Sequence, residues 1–227
     1  MKYGKISFNH TFKWRFRNRI MLLLPLLLLK SGLYAQDDEW KTKLTRDGAV
    51  TVKYRVYDQK NEEGEKSQVI EFEAVTIARA SLEDCVSVMV TESNHVEIME
   101  GTEIARRVSE LPGGDWIIYY YYKPPWPMPA ADIITRYNLE ENPDKNQVIL
   151  TGTPAPDMYP TQDLPRMEHN HTRYTFTRLG QEEVEITMYS WSIPLISAPK
   201  WLTKTWFPNG PADMVMGIAE FAEAMGK

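Results

Sequence analysis

Glu168-His169-Asn170-His171 is the cluster in this 227-residue chain whose residue types suit metal-ligand chemistry. On an extended strand His169 and His171 face the same side, at a spacing that can share one ion. No third ligand is identifiable, so no metal site is assigned and the cluster reads as solvated strand residues. Catalytic signatures are missing too: there is no Gly-x-Ser-x-Gly elbow, phosphate loop, dinucleotide fingerprint or His-Glu-x-x-His. Acidic residues such as Glu182, Glu183 and Glu185 alternate or lie on polar faces, which is a poor basis for paired acid-base work. No catalytic residue is assigned. Tyr119 to Tyr122 place two tyrosines on each face of a strand, a pattern of sheet packing with hydroxyls at the wet edge. Trp126 and Met128 sit among prolines on a stiff, non-helical loop. That loop is either a gate at a pocket mouth or a rigid aromatic cap on the core. Cys85, the only cysteine, cannot form an internal disulfide, and Leu82, Val86, Met89 and Val90 at helical spacing make it a buried, inert thiol.

The elements that must position these residues are mostly strands. Val50, Val52, Tyr54 and Val56 share one face, opposite Thr51, Lys53 and Arg55. After the charged Lys60–Lys66 turn, Ile70, Phe72 and Ala74 oppose Glu71 and Glu73. Further on, Ile133, Thr135, Tyr137 and Leu139 oppose Asp132, Arg136, Asn138 and Glu140. Val148 and Leu150, then Tyr174 and Phe176, then Val184, Ile186 and Met188 repeat the pattern. One dry and one wet face in strand after strand predicts an antiparallel sheet packed on one side. Breaks at Asn61–Gly64, Pro112–Gly114, Asn142–Asp144 and Leu179–Gly180 supply the turns. Helical spacing appears after Ser81, with Ser81 and Asp84 as a capping pair. It returns at the end, where Pro211 opens a helix and Met214, Ile218, Phe221, Ala222 and Met225 form an apolar stripe. Asp37 to Leu44 is expected to form a short first helix. The fold class is α+β, a curved antiparallel sheet wrapped on a long C-terminal helix.

Composition and charge bound the function. With 43% hydrophobic and 25% charged residues the chain is globular. Residues 1–35 hold seven of the 26 basic residues and no acid. The rest therefore carries 19 basic residues against 31 acidic ones, a net charge of −12, which excludes nucleic acid as a partner. Ile20 to Leu29 is a ten-residue apolar run, too short to span a bilayer. Basic residues before it and Ala35 after it predict a signal peptide over 1–35, cleaved to leave Gln36 first. The protein is expected to be exported, periplasmic or extracellular, with residues 36–227 forming one domain.

Asp115-Trp-Ile-Ile-Tyr-Tyr-Tyr-Tyr-Lys-Pro-Pro-Trp-Pro-Met-Pro-Ala-Ala-Asp132 resembles the signature of START domains, the steroidogenic-acute-regulatory-related lipid-transfer family. Pro125-Trp126-Pro127 and Asp132-Ile133-Ile134 carry the match. Leu164-Pro165-Arg166-Met167 ahead of Phe176-Thr177-Arg178-Leu179 is similar to a second family segment. Ile193-Pro194 through Pro199-Lys200-Trp201-Leu202 is similar to the approach to the family's last helix. The resemblance, to a bacterial-type exported member, implies a helix-grip fold (START/Bet v 1-like) enclosing a hydrophobic tunnel. It also implies one bound lipid or other hydrophobic small molecule, no cofactor and no covalent chemistry. Three departures stand out, one of them an insertion, Leu195-Ile-Ser-Ala198, in the Ile193–Trp201 stretch. Ala131 replaces a usual Arg, which is expected to remove an ion pair at Asp132. Tyr137 stands where sterol binders carry an inward Arg, with Arg136 facing out, so sterol is not favoured over fatty acid, phospholipid or polyketide.

By pattern alone a solid core and a ligand cavity look alike; the resemblance favours the cavity. Its expected walls are Ile133, Thr135, Tyr137 and Leu150, with Tyr174, Phe176, Ile186 and Met188. Trp126, Met128, Met214 and Ile218 are expected at its mouth and lid. The function expected is binding, and possible transfer, of a hydrophobic molecule, with transient membrane contact and no protein partner indicated. The alternatives are a cyclase- or hydrolase-like enzyme using Tyr137, Tyr174, Glu168 or His171, and a non-binding scaffold.

Overall fold

The computed structural model describes residues 39–226 other than Asn61 and Glu63. The expected signal peptide, residues 1–35, lies outside the described residues. Thirteen strands and α-helices follow in chain order among the described residues. Strands β1 (Lys41–Thr45), β2 (Val50–Lys60) and β3 (Lys66–Ala78) lead into helices α1 (Leu82–Val90) and α2 (His95–Ile98). Strands β4 (Thr102–Glu110) and β5 (Trp116–Tyr122) come next. β6 (Ala131–Asn142), β7 (Gln147–Pro154), β8 (Asn170–Gly180) and β9 (Glu183–Ser192) precede helices α3 (Lys200–Trp206) and α4 (Asn209–Met225). The strands form one antiparallel sheet in the order β1-β2-β3-β9-β8-β7-β6-β5-β4. Two meanders, β1–β3 and β4–β9, are thus joined where β9 pairs with β3. Helices α1 and α2 carry the chain from one meander to the start of the other.

The helix expected over Asp37 to Leu44 is instead an edge strand from Lys41, paired with β2 from Lys41↔Tyr54 to Thr45↔Val50. The alternating Lys-Thr-Lys-Leu-Thr suits a strand, and its two lysines keep that edge charged. Trp40 just before it is covered by Lys53 Nζ at 4.9 Å and the Arg55 guanidinium at 4.7 Å. The Ser81 cap is as expected. Ser81 Oγ accepts from Asp84 N–H at 3.0 Å and donates to Asp84 Oδ2 at 2.7 Å, leaving Cys85 fully buried on the inner side of α1. Burial pushes the Cys85 thiol up to about 12. In the β4–β5 hairpin Gly113 and Gly114 take φ of 97° and 90°, a conformation that needs glycine.

The inner face of the sheet packs on α4, which lies against β3, β2, β9 and α1. Its fully buried stripe is Ala212, Val215, Ile218 and Ala222, with Ala219 beside it. The expected stripe is therefore rotated: Met214 and Phe221 flank it half-buried, and Met225 is exposed. Three alanines let the helix axis approach the sheet, and close approach selects small residues over the larger apolar ones on its flank.

The outer face is not uniformly wet. Ile117, Tyr119, Ile134 and Ala155 form a second core, with Val108, Leu111, Tyr121 and Tyr159 against it. Leu139 departs in the other direction, sitting on the inner-face parity yet 37% exposed near the end of β6. The cover for the second core is the segment after β7. It leaves β6 with Ala155 N–H donating to Ile134 O and returns through Leu164–Met167. There Asp132 N–H donates to Pro165 O, and Met167 N–H donates to Asp132 O at 2.9 Å, a parallel bridge on β6. Asp132, fully buried, receives Arg166 Nε at 3.0 Å and Nη2 at 2.6 Å. The same guanidinium donates to the carbonyls of Tyr159 and Pro160. The ion pair expected to be lost with Ala131 is thus made from Arg166, because the returning segment places a cation beside the same carboxylate.

Removing one partner of a buried pair strands the other charge. Arg166→Met is expected to lower unfolding stability by about 3–5 kcal/mol, whereas removing the exposed Arg46–Asp213 pair through Arg46→Ala costs about 0–1 kcal/mol. Urea unfolding of both variants checks the contrast; equal losses would refute it.

Candidate functional site

Strand register brings one residue per strand into transverse rows on the inner face. One row runs Trp116, Tyr137, Gly152, Thr172, Ser190 and Phe72 from β5 across to β3. Its centre is small: Gly152, Thr172 and Ser190. The next row holds Leu150, Tyr174 and Met188, and the one beyond holds Val148, Phe176 and Ile186. These larger side chains fill the space toward α1 and α4. Where the small ones stand, the sheet falls short of its cover and a cavity of about 210 Å³ remains.

Leu202 and Trp206 of α3 and Met214 of the first turns of α4 cover the cavity. Pro124, Pro125 and Met128 of the β5–β6 loop border it on one side, and Met167 on another. Most of the lining is apolar. Among the described lining residues the one charged group is Glu100, which is exposed.

Of the expected wall and mouth residues, Met128, Ile133, Tyr137, Tyr174, Met188 and Met214 line this space. The others lie elsewhere. Leu150, Phe176, Ile186 and Ile218 are fully buried in the solid part of the core. Thr135 is buried, with its hydroxyl unpartnered among the described residues, but does not line the cavity. Trp126 is 83% exposed and neither lines the cavity nor packs as a cap, because the prolines around it hold the loop tip out in solvent. The void is therefore displaced from the middle of α4 toward α3 and the β5–β6 loop. Thr172, Ser190, Ser192 and Tyr120 line it without having been anticipated. Their strand parity was the available signal, since Ser190 and Ser192 continue Ile186 and Met188, and Thr172 continues Tyr174 and Phe176.

Glu168 and His171 are exposed and lie outside the cavity. His171 packs edge-on to Trp191, with ring centroids 5.5 Å apart. Among the described residues no group of three potential ligands could hold a metal.

One end of the cavity is polar, and its hydrogen bonds can be assigned. His95 is fully buried, with Nε2 2.9 Å from the Met89 carbonyl and Nδ1 2.8 Å from the Tyr120 hydroxyl. A carbonyl only accepts, so Nε2 carries the proton. In the neutral ring Nδ1 then accepts from Tyr120, whose oxygen in turn accepts from the Tyr137 hydroxyl at 2.9 Å. Burial holds the His95 ring below its ordinary range, opposed by its bond to Met89 and by Glu92 and assisted by Arg107. Burial also lifts Tyr120 and Tyr174 well above the ordinary tyrosine range and raises Tyr137, so all three keep their protons. Tyr174 OH and Thr172 Oγ1 are buried with no hydrogen-bond partner among the described residues. Gly152 makes room for this group. A Cβ there would lie 2.5 Å from Thr172 Oγ1 and 2.9 Å from Tyr137 Cε1.

This architecture has close counterparts among solved structures. A STAR-related lipid transfer protein from Xanthomonas axonopodis superimposes with a TM-score of 0.65 at 18% identity, covering 81% of this chain and 98% of that one. Human StAR-related lipid transfer protein 5 gives 0.64 at 11% identity, over 83% and 88% of the two chains. The lipid transfer and protein localization domain of human StarD13 gives 0.63 at 15%, over 82% and 89%. The fold is that of the START domains. No protein-family model and no curated protein matches the sequence. Within the START fold, this chain keeps the curved nine-stranded sheet and the C-terminal helix that closes it.

The His95 assignment fixes the sign of a pH effect. A histidine held neutral in the fold binds fewer protons than its unfolded form, so stability is full above the unfolded pKa of 6.5 and falls as pH drops below it. His95→Gln, which can donate to Met89 and accept from Tyr120, is expected to flatten the slope of unfolding free energy between pH 6.5 and 5. Denaturant melts across that window test it; an unchanged slope would contradict the assignment.

Proposed function

We propose that this protein binds one hydrophobic small molecule, a lipid in the broad sense, in the cavity under α3, as a carrier rather than an enzyme. The observation that carries the reading is the hollow of about 210 Å³ between the inner face of the sheet and its helical cover. Apolar walls with a few fixed hydroxyls are what a pocket for such a molecule needs. Each methylene buried there is worth about 0.8 kcal/mol. The carrier reading is favoured over a cyclase or hydrolase because the expected acid-base groups Glu168 and His171 stand outside the cavity. The tyrosines inside it are held in their protonated form. The START fold of lipid-transfer proteins supports the same reading. Trp126 on the β5–β6 loop and Trp201 on α3, 83% and 55% exposed, suit brief contact with a lipid surface.

Export is part of the proposal. Residues 1–35 act as a signal peptide, and residues 36–227 are the working domain. Purification after secretion and N-terminal sequencing are expected to return Gln36; a start at Met1 would argue for retention.

Native mass spectrometry of gently purified protein is expected to show a hydrophobic adduct. Ser190→Leu, which fills the cavity from the sheet, is expected to abolish it. Ile218→Ala, in the solid core, should cost about 2–5 kcal/mol of stability but leave the adduct in place. An adduct that survives Ser190→Leu would sink the cavity reading.

A further inference from the structure

The hydroxyls at the closed end of the cavity carry information about the ligand's head. The His95 ring commits the Tyr120 proton, and Tyr120 commits the Tyr137 proton. Tyr137 therefore presents its oxygen as an acceptor. Tyr174 OH remains a buried donor with no partner among the described residues, whereas Thr172 can turn its hydroxyl to the Tyr137 oxygen, and both side chains line the cavity. A buried donor left without a partner costs free energy that an arriving acceptor recovers. No lysine, arginine or histidine is among the described residues that line the cavity, and its one charge is the carboxylate of Glu100. An anionic head placed at that end would meet no cation among the described lining residues and would lose much of its hydration.

Building on the cavity-binding reading above, we infer that the ligand is an uncharged molecule whose hydrocarbon body carries a carbonyl or hydroxyl oxygen. That oxygen is received by the Tyr174 hydroxyl. Size agrees with a compact body: a cavity of about 150 Å³ holds benzene. The space here is about 210 Å³, which takes a single chain or a ring with a short substituent. Gly152 belongs to the same device, since any side chain at that position would occupy the space beside Thr172 Oγ1.

Titration calorimetry of the mature protein at pH 8 with octan-2-one, octane and octanoate tests the inference, because the three share a chain and differ at the head. Octan-2-one is expected to bind more tightly than the other two. Tyr174→Phe is expected to weaken it by about two- to tenfold, the range one hydrogen bond spans, without changing octane affinity. The variant should fold as well as the parent or better, since it removes an unpartnered hydroxyl, and its urea melt verifies this. Equal affinity for all three probes, tightest binding of octanoate, or an unchanged preference in Tyr174→Phe would overturn the inference while leaving the cavity reading intact. Failure of all three to bind would overturn both.

Discussion

A sheet that buries one face can meet its covering helices only where side chains from both surfaces add up to the distance between them. Here that distance is bridged under α1 and the middle of α4 by residues such as Phe176, Ile186 and Ile218, and the packing there is solid. Two residues along each strand from Tyr174 and Met188 the supply fails, because β7, β8 and β9 contribute Gly152, Thr172 and Ser190 in one row. The cavity is the direct result of that step in side-chain volume. Its position, its cover by α3 and its polar end all follow from where the step falls.

The polar end adds a second constraint. A buried histidine and buried tyrosines are costly unless their hydrogen bonds are met, and the chain from Met89 through His95, Tyr120 and Tyr137 meets them in a single direction. Because each proton along that chain is spoken for, the rings of His95, Tyr120 and Tyr137 are oriented by more than packing. α2, a helix of a single turn, holds its place partly through this chain, since His95 begins it.

Much of this is legible in the sequence. Period-two alternation in the segments from Val50 to Met188 placed most strands and their inner faces, and the Ser81–Asp84 pair marked the start of α1. What failed did so for physical reasons. The α4 stripe was right at Ile218 and Ala222, but hydrophobicity also favoured Met214, Phe221 and Met225, whereas close approach to the sheet favours the alanines at 212 and 219. The Lys41–Thr45 strand has no apolar face of its own and is defined by its pairing with β2. Thr172, Ser190 and Ser192 are polar residues at inward positions beyond the apolar runs that marked their strands, so apolar alternation did not single them out although their parity was plain. The cavity's location could not be read from one strand at a time, because it depends on which residues of six strands fall in the same row. His95 gave no signal at all, since its partners Met89 and Tyr120 meet it only in three dimensions.

The returning segment after β7 has a further consequence. Its Arg166 grips the Asp132 carboxylate on the convex side, and the next residue, Met167, hangs from the carbonyl of that same aspartate while its side chain forms part of the inner wall. One peg therefore fastens two surfaces that face opposite directions. Anything that unseats the peg from outside also shifts a panel of the chamber, so the width of the opening and the integrity of the outer skin are a single mechanical quantity in this molecule.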